Sequence, residues 1–470
     1  MQRSRLKSLT LIASLAVLTI AVLAATGRGK PPALPPADPL PAGGSGITLS
    51  GHLVQTHVLK GSPGRVGLEL TLTAVGPAAA SADERGIDFV VVLDRSGSME
   101  GAKLEYARRS LQHLLASLSA RDRFALFSYA DAVQKQCDLL PVTDANRSLM
   151  QAAVAGIRSG GATNLGEGLR AGIELITAAS RPGHPGRVIL ISDGLANRGV
   201  TDPAALAGMA ATAAGREFAV SAVGVGSDFN EVLMTRIADR GAGSYYYLDN
   251  PAAFAEVFQR EFVSAKTAAA TGVSVSIPLL PGVRLVDAAG YPVSVSDGRA
   301  VFYPGSLRAG QTRRLFLTLQ VPTETEARFD VAGVTARWLQ DGSEREVRLE
   351  QTFTVACIGD ADRVAASIDR SRWEGKVLKE DYGRLKQEVA SHVSSGRVDA
   401  AMKCIDAYES EQKAVNSAVR SPAVERNLET DLKDLRHRVA DSFSGPPAAA
   451  AEKQKAGAKA LQYEGYTERR

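Results

Sequence analysis

At 470 residues the chain is longer than one ordinary domain, and a length of this order corresponds to about three units. Hydrophobic residues make up 45% and charged residues 23%, so there is enough apolar material for a sizeable core without disulfides or structural zinc. The net charge is only +4, and Lys and Arg alternate with Asp and Glu without a long basic run or basic–aromatic interleaving, which excludes a nucleic-acid-binding surface.

In chain order, Arg3, Arg5 and Lys7 precede an apolar stretch from Leu9 to Ala25, broken only by Thr10, Ser14 and Thr19. A basic start, an apolar centre and small residues such as Ala24 and Ala25 make residues 1–26 a secretory signal peptide or an N-terminal membrane anchor. The stretch is long for the first and slightly short for the roughly 20 residues of a spanning helix, so both fit. In either case the basic flank stays inside and the remainder is exported, giving an extracytoplasmic protein of the periplasm or cell envelope that meets the membrane only through residues 9–25. Residues 27–46 are rich in Pro and Gly and read as an extended linker.

Within residues 47–85, Val66, Leu68, Leu70 and Leu72 alternate with Glu69, Thr71 and Thr73, the period of a half-buried strand. Residues 47–58 are a weaker strand candidate. Residues 86–264 then alternate strands and helices. Asp88 to Leu93 is a nearly continuous apolar run, as a strand covered on both faces requires. Further strands are expected at 123–128, 187–192, 219–225 and 244–248, with helices at 165–178, 203–214, 230–239 and 251–263. This alternation predicts an α/β fold, a mostly parallel sheet with helices on both faces. In residues 265–358 the β pattern returns (Val273, Val275, Ile277; Leu315, Leu317, Leu319), with an Asp341-Gly342 hairpin turn, and predicts an antiparallel β-sandwich-like domain. Strands on both sides of the α/β unit suggest that it is inserted into one β-domain. Residues 359–443 read as helical, with stripes at Tyr382, Leu385 and Val389 and at Val424, Leu428, Leu432, Leu435 and Val439. The Ala-, Pro- and Lys-rich residues 444–470 read as a disordered tail. Cys137, Cys357 and Cys404 show no metal-binding spacing. They read as buried free thiols, with a Cys357–Cys404 bridge as the alternative.

Chemistry concentrates at strand ends. The first α/β strand runs into Asp94-Arg95-Ser96-Gly97-Ser98, a loop reads Gly160-Gly161-Ala162-Thr163-Asn164 before a helix, and a later strand ends in Asp193-Gly194. Each piece alone has an ordinary explanation, since Ser98 and Thr163 suit helix caps and Asp-Gly suits a turn. In an open parallel sheet, however, ligands bind beyond the carboxyl ends of strands where the strand order reverses. Two carboxylates and three hydroxyls meeting there, without sulfur or imidazole, would suit a hard divalent cation, Mg²⁺ first, with Mn²⁺ or Ca²⁺ as alternatives. Short side chains would leave the ion open to an Asp or Glu carboxylate from a protein partner.

The runs D-R-S-G-S-M, G-G-A-T-N and V-I-L-I-S-D-G resemble the metal-ion-dependent adhesion site of von Willebrand factor type A domains, over roughly residues 86–264. That resemblance implies a Rossmann-like doubly wound sheet with one antiparallel edge strand, near 132–140, and a metal held by Asp94, Ser96, Ser98, Thr163 and Asp193. Met99, Glu100, Asn164 and Leu195 are the loop neighbours expected to touch a partner. HExxH, GxSxG, Walker A and GxGxxG motifs are absent, and the six histidines are scattered, so a binding role is expected and an enzymatic one is not. The expected function is a metal-dependent binding or adhesion module. The alternative is a scaffold, or an accessory subunit of an envelope complex, in which the metal mainly stabilises the fold.

Overall fold

Strands covered on both faces carry unbroken apolar runs, and strands covered on one face alternate; both kinds set the layers of this molecule. The computed structural model describes residues 46–75 and 85–470, so the signal or anchor segment and the linker up to residue 45 lie outside the described residues. Among the described residues, no helix is long and apolar enough to cross a membrane.

The segment before the α/β unit holds β1 (Gly46–Leu53), β2 (His57–Leu59) and β3 (Arg65–Val75), so the single weak strand expected at 47–58 is two. β3 departs from the alternation expected of it, because every residue from Val66 to Leu70 is buried. Its second face is covered by the C-terminal helical region. A Cβ at Gly67 would lie 2.6 Å from Val54 and 3.0 Å from Lys376, and Glu69 faces Arg372 at 3.6 Å.

The α/β unit runs β4 (Asp88–Asp94), α1 (Ala102–Ser117), β5 (Arg123–Tyr129), β6 (Val133–Pro141), α2 (Asp144–Gly156), α3 (Leu165–Ala179), β7 (Gly186–Ser192), α4 (Pro203–Ala210), β8 (Phe218–Val225), α5 (Glu231–Arg240), β9 (Ala242–Leu248) and α6 (Phe254–Lys266). The sheet order is β6-β5-β4-β7-β8-β9. All neighbours are parallel except β6, which pairs antiparallel with β5 at the edge. All residues of β4, β7 and β8 are buried. Alternate side chains feed two cores. Phe89, Val91 and Leu93 pack beneath α1, α2 and α6, and Val90 and Val92 pack beneath α3, α4 and α5. Only Met150 and Val154 of α2 are buried, which is why periodicity does not mark that helix.

The β-domain resumes with β10 (Ala268–Pro278), β11 (Arg284–Ala288), β12 (Ser294–Ser296), β13 (Arg299–Phe302), β14 (Leu307–Arg308), β15 (Thr312–Gln320), β16 (Ala327–Val331), β17 (Thr335–Gln340), β18 (Ser343–Arg348) and β19 (Phe353–Ile358). β3 lies between β1 and β15 in one sheet, so the chain leaves this β-domain for the α/β unit and returns to it through α6 and β10. β17 and β18 join through Asp341 and Gly342, with φ of 51° and 76°, the paired positive angles of a two-residue hairpin turn. Pairing is antiparallel apart from β19 with β2. Cys357 is buried, Cys137 and Cys404 are partly buried, and all three are free thiols.

The helical region comprises α7 (Ala361–Ala366), α8 (Arg370–Gly375), α9 (Tyr382–Ser394), α10 (Val398–Val419), α11 (Pro422–Arg426), α12 (Leu432–Asp441) and α13 (Pro447–Arg469). The two predicted stripes share one core. The disordered tail expected at 444–470 is corrected: it is α13. Ala is the strongest helix former, and Ala458, Leu461, Gly465 and Tyr466 recur on one buried face. Leu461 joins the helical core, and Tyr463 and Tyr466 meet Tyr245 of β9 edge-on at 5.8 and 5.5 Å. The helix thereby fastens the helical region to the α/β unit, reinforced by a Lys459–Glu231 ion pair at 2.9 Å. Leu461→Ala is expected to lower unfolding free energy by about 2–5 kcal/mol in urea titrations; a detached tail would leave it unchanged.

Candidate metal centre

The chain passes from β4 through α1 to β5 on one side and later to β7 on the other, so strand order reverses between β4 and β7, which pair in parallel. Asp94 ends β4 and Asp193 follows β7, and both are 0% exposed. The Asp94 carboxylate is fixed at both oxygens: Ser96 N–H donates to Oδ1 at 2.8 Å and Ser192 Oγ donates to Oδ2 at 2.8 Å. Ser98 Oγ donates to Asp193 Oδ1 at 2.7 Å and lies 3.1 Å from Ser96 Oγ.

The loop before α3 completes the cluster. Gly97 N–H donates to Gly161 O at 3.1 Å, and Gly160 N–H donates to Arg95 O at 2.8 Å, tying the two loops together. Gly160 and Gly161 hold φ of 147° and 87°, open to glycine and strained for other residues, and a Cβ at Gly161 would lie 2.3 Å from Asp131. Thr163 is set by Asn197, whose Oδ1 accepts from Thr163 N–H at 2.9 Å. A Cβ on Gly194 would lie 3.6 Å from Ser98 Oγ and 3.7 Å from Thr163 Oγ1, so both hydroxyls face the residue beside Asp193. The two acids and three hydroxyls named from sequence therefore stand around one small space.

Burial pushes the Asp94 carboxyl up to about 6; hydrogen bonds from Ser96 and Ser192 pull the other way, and the nearby Asp193 charge adds to the rise. A cation beside these acids relieves the repulsion. One is already present: Lys103 Nζ, in the first turn of α1, lies 2.5 Å from Asp193 Oδ2 and 3.3 Å from Ser98 O. Sequence reasoning missed Lys103 and the orienting Ser192. The available signals were a lysine in the helix turn after D-x-S-x-S and a hydroxyl preceding Asp193. Of the four residues expected to touch a partner, Glu100 is exposed and Leu195 is 56% exposed on the rim. Met99 is corrected, because it is fully buried beneath the loop. Asn164 is corrected too: 8% exposed, it caps α3, accepting from Glu167 N–H and donating to Glu167 Oε2 at 2.8 Å. The donor set fits a hard cation, being oxygen only. Among the described residues, no group of three or more His, Cys, Asp or Glu side chains is placed to hold a metal, so any ion at this centre relies on hydroxyls as well as acids.

Fold and site together define a doubly wound α/β domain with an oxygen-lined switch point. Residues 88–260 match the von Willebrand factor type A domain family model, and the α/β unit is a domain of that type. Domains of this family generally mediate metal-dependent protein–protein interaction. The chain is 30% identical over 196 residues to the uncharacterized protein YfbK of Escherichia coli, covering 41% of this chain and 34% of that one. It is 28% identical over 157 residues to human inter-alpha-trypsin inhibitor heavy chain H4, covering 32% of this chain and 17% of the other. The matched segment thus spans about a third or less of these two relatives. Among solved structures, a von Willebrand factor type A protein from Catenulispora acidiphila superposes with a TM-score of 0.67 at 18% identity, over 91% of this chain and 98% of that one. The ArnB paralog VWA2 from Sulfolobus acidocaldarius gives 0.55 at 16% identity, over 89% and 99%. The likeness in fold therefore extends beyond the α/β unit to nearly the whole chain.

A carboxyl whose folded-state value is raised from 3.8 to about 6 binds a proton in the folded chain where the unfolded chain has released it. Stability contributed by that proton is present below the unfolded value and lost as pH rises through about 6. In EDTA, the wild type is therefore expected to lose stability relative to Asp94→Asn as pH rises from 4 to 6, by at most about 3 kcal/mol. Urea titrations of both proteins across that range measure the difference, and a pH-independent gap contradicts it.

Proposed function

We propose that this chain is an extracytoplasmic, metal-dependent protein-binding module in which Asp94, Ser96, Ser98, Thr163 and Asp193 hold a divalent cation, Mg²⁺ foremost. The observation carrying this reading is the meeting of two fully buried carboxylates with three hydroxyls at the strand switch point, where Ser98 remains exposed to solvent. Once bound, the cation supplies a coordination position for a partner's Asp or Glu carboxylate. The chain's own part is preorganisation. Ser96 N–H and Ser192 Oγ hold Asp94 in one orientation, and Ser98 holds Asp193. Glu100 and Leu195 flank the opening, so a partner meets one acidic and one apolar side chain beside the site. Export rests on the basic-apolar-small layout of residues 1–26. Binding is proposed over catalysis because, among the described residues, the acids at the cluster are the two aspartates already held by its hydroxyls and Lys103.

The burial of Asp94 and Asp193 also favours a second reading, a scaffold in which the ion chiefly relieves the cost of two desolvated acids and raises stability by mass action. Affinity capture from envelope extracts in Mg²⁺ separates the two. A partner should be retained by the wild type and lost with EDTA, Asp193→Ala and Thr163→Ala, while Thr163→Ala melts near the wild-type temperature. If chelation lowers the melting temperature and never changes what is captured, the scaffold reading stands instead.

Lys103 neutralises Asp193 at 2.5 Å and must yield that oxygen to an incoming ion. Lys103→Met is therefore expected to bind Mg²⁺ several-fold more tightly by calorimetry, with a less stable metal-free form.

A further inference from the structure

A cavity of about 440 Å³ opens outside the edge strand β9, where the α/β unit, the β-domain and α13 meet. Five arginines line it, and their pairing is uneven. Arg187 is closed against Glu261 at 3.1 Å, and Arg260 pairs with Glu256 at 2.5 Å. Arg470 uses Nη2 on Asp239 at 2.6 Å and on Gly290 O at 3.2 Å, while its Nη1 is buried with no hydrogen-bond partner. The Arg470 guanidinium lies 3.3 Å over the Tyr291 ring. Among the described residues, Arg313 donates only to backbone carbonyls, Pro304 O and Ser306 O. Arg308 is exposed to the cavity and makes no side-chain hydrogen bond or ion pair among the described residues. Two guanidiniums without a carboxylate thus border a space whose other walls carry serine, threonine and tyrosine hydroxyls. Nothing in the metal-dependent reading uses this place.

We propose that this junction binds a small phosphate-bearing dianion. Two uncompensated guanidiniums match two negative charges, and the planar fork of arginine suits the paired oxygens of a tetrahedral oxyanion. Phosphate oxygens also accept from the surrounding hydroxyls. The volume exceeds a bare phosphate and falls in the range of sites for small organic ligands. Because the walls come from three units, an occupant would tie α13 and the β-domain to the α/β unit, and binding should read out as stability.

The test uses the full exported chain in EDTA, which keeps phosphate from being held through a divalent ion at the other site. Inorganic phosphate, glycerol 3-phosphate, succinate and chloride are titrated at matched ionic strength, by calorimetry and by thermal melting. Expected are one-to-one binding and a raised melting temperature with both phosphate-bearing probes, tighter for glycerol 3-phosphate if the site serves an organic ester and equal if it serves free phosphate. Arg308→Gln should weaken this at least tenfold and Arg308→Lys should largely restore it, both with wild-type melting in the absence of probe. Arg308 is exposed and unbonded, so neither change threatens folding. The proposal is overturned if phosphate does not bind, if chloride or succinate stabilises equally, or if Arg308→Gln binds like the wild type.

Discussion

The parallel pairing of β4 with β7 is the constraint on which the site depends. It sets two aspartates side by side at the ends of strands that are buried along their whole length. Neither acid reaches water, and each is therefore committed to internal partners: Asp94 to Ser96 and Ser192, Asp193 to Ser98 and Lys103. An isolated buried carboxylate is costly, and a pair is costlier. The loops around them are consequently short, glycine-bearing and cross-linked by backbone hydrogen bonds, because every donor must arrive within about 3 Å. What would be a weakness in a core becomes a preformed cradle for positive charge at a surface.

Two different cations answer that need. Lys103 does so from within the chain, and among the described residues it hydrogen-bonds Asp193 and the Ser98 carbonyl, whereas Asp94 is held by the neutral Ser96 and Ser192. A divalent ion held by Asp94, Ser96, Ser98, Thr163 and Asp193 would supply the second charge. The internal ammonium compensates Asp193 without a metal, and an incoming ion would have to displace it from that oxygen.

The cluster is legible in sequence because its acids and hydroxyls sit in short loops beside apolar strands, where chemistry and position coincide. Lys103 escaped because a lysine in a first helical turn is common and nothing local marks which way it reaches. Met99 and Asn164 were misjudged for the opposite reason: proximity in sequence suggested access, whereas Met99 turns into the core under α1 and Asn164 serves the α3 cap. The strand–helix alternation gave the α/β layers, and the hairpin at Asp341-Gly342 was equally plain. β2 was not, since its pairing with β19 joins residues some three hundred positions apart. α13 was hidden by composition. Its buried stripe uses Ala458 and Gly465 alongside Leu461 and Tyr466, and small residues carry little hydrophobic signal although they allow close helix approach.

The α/β unit is attached to its β-domain at two places, after β3 and through α6 into β10. A tensile load applied to the α/β unit would divide between these two attachments. β3 is hydrogen-bonded on both sides, to β1 and β15, and β10 is likewise flanked by β13 and β17. Pulling along such strands shears several ladder bonds at once rather than peeling them singly. The α/β unit is therefore carried on a twin mount, and a single flexible tether would not spread a load in that way.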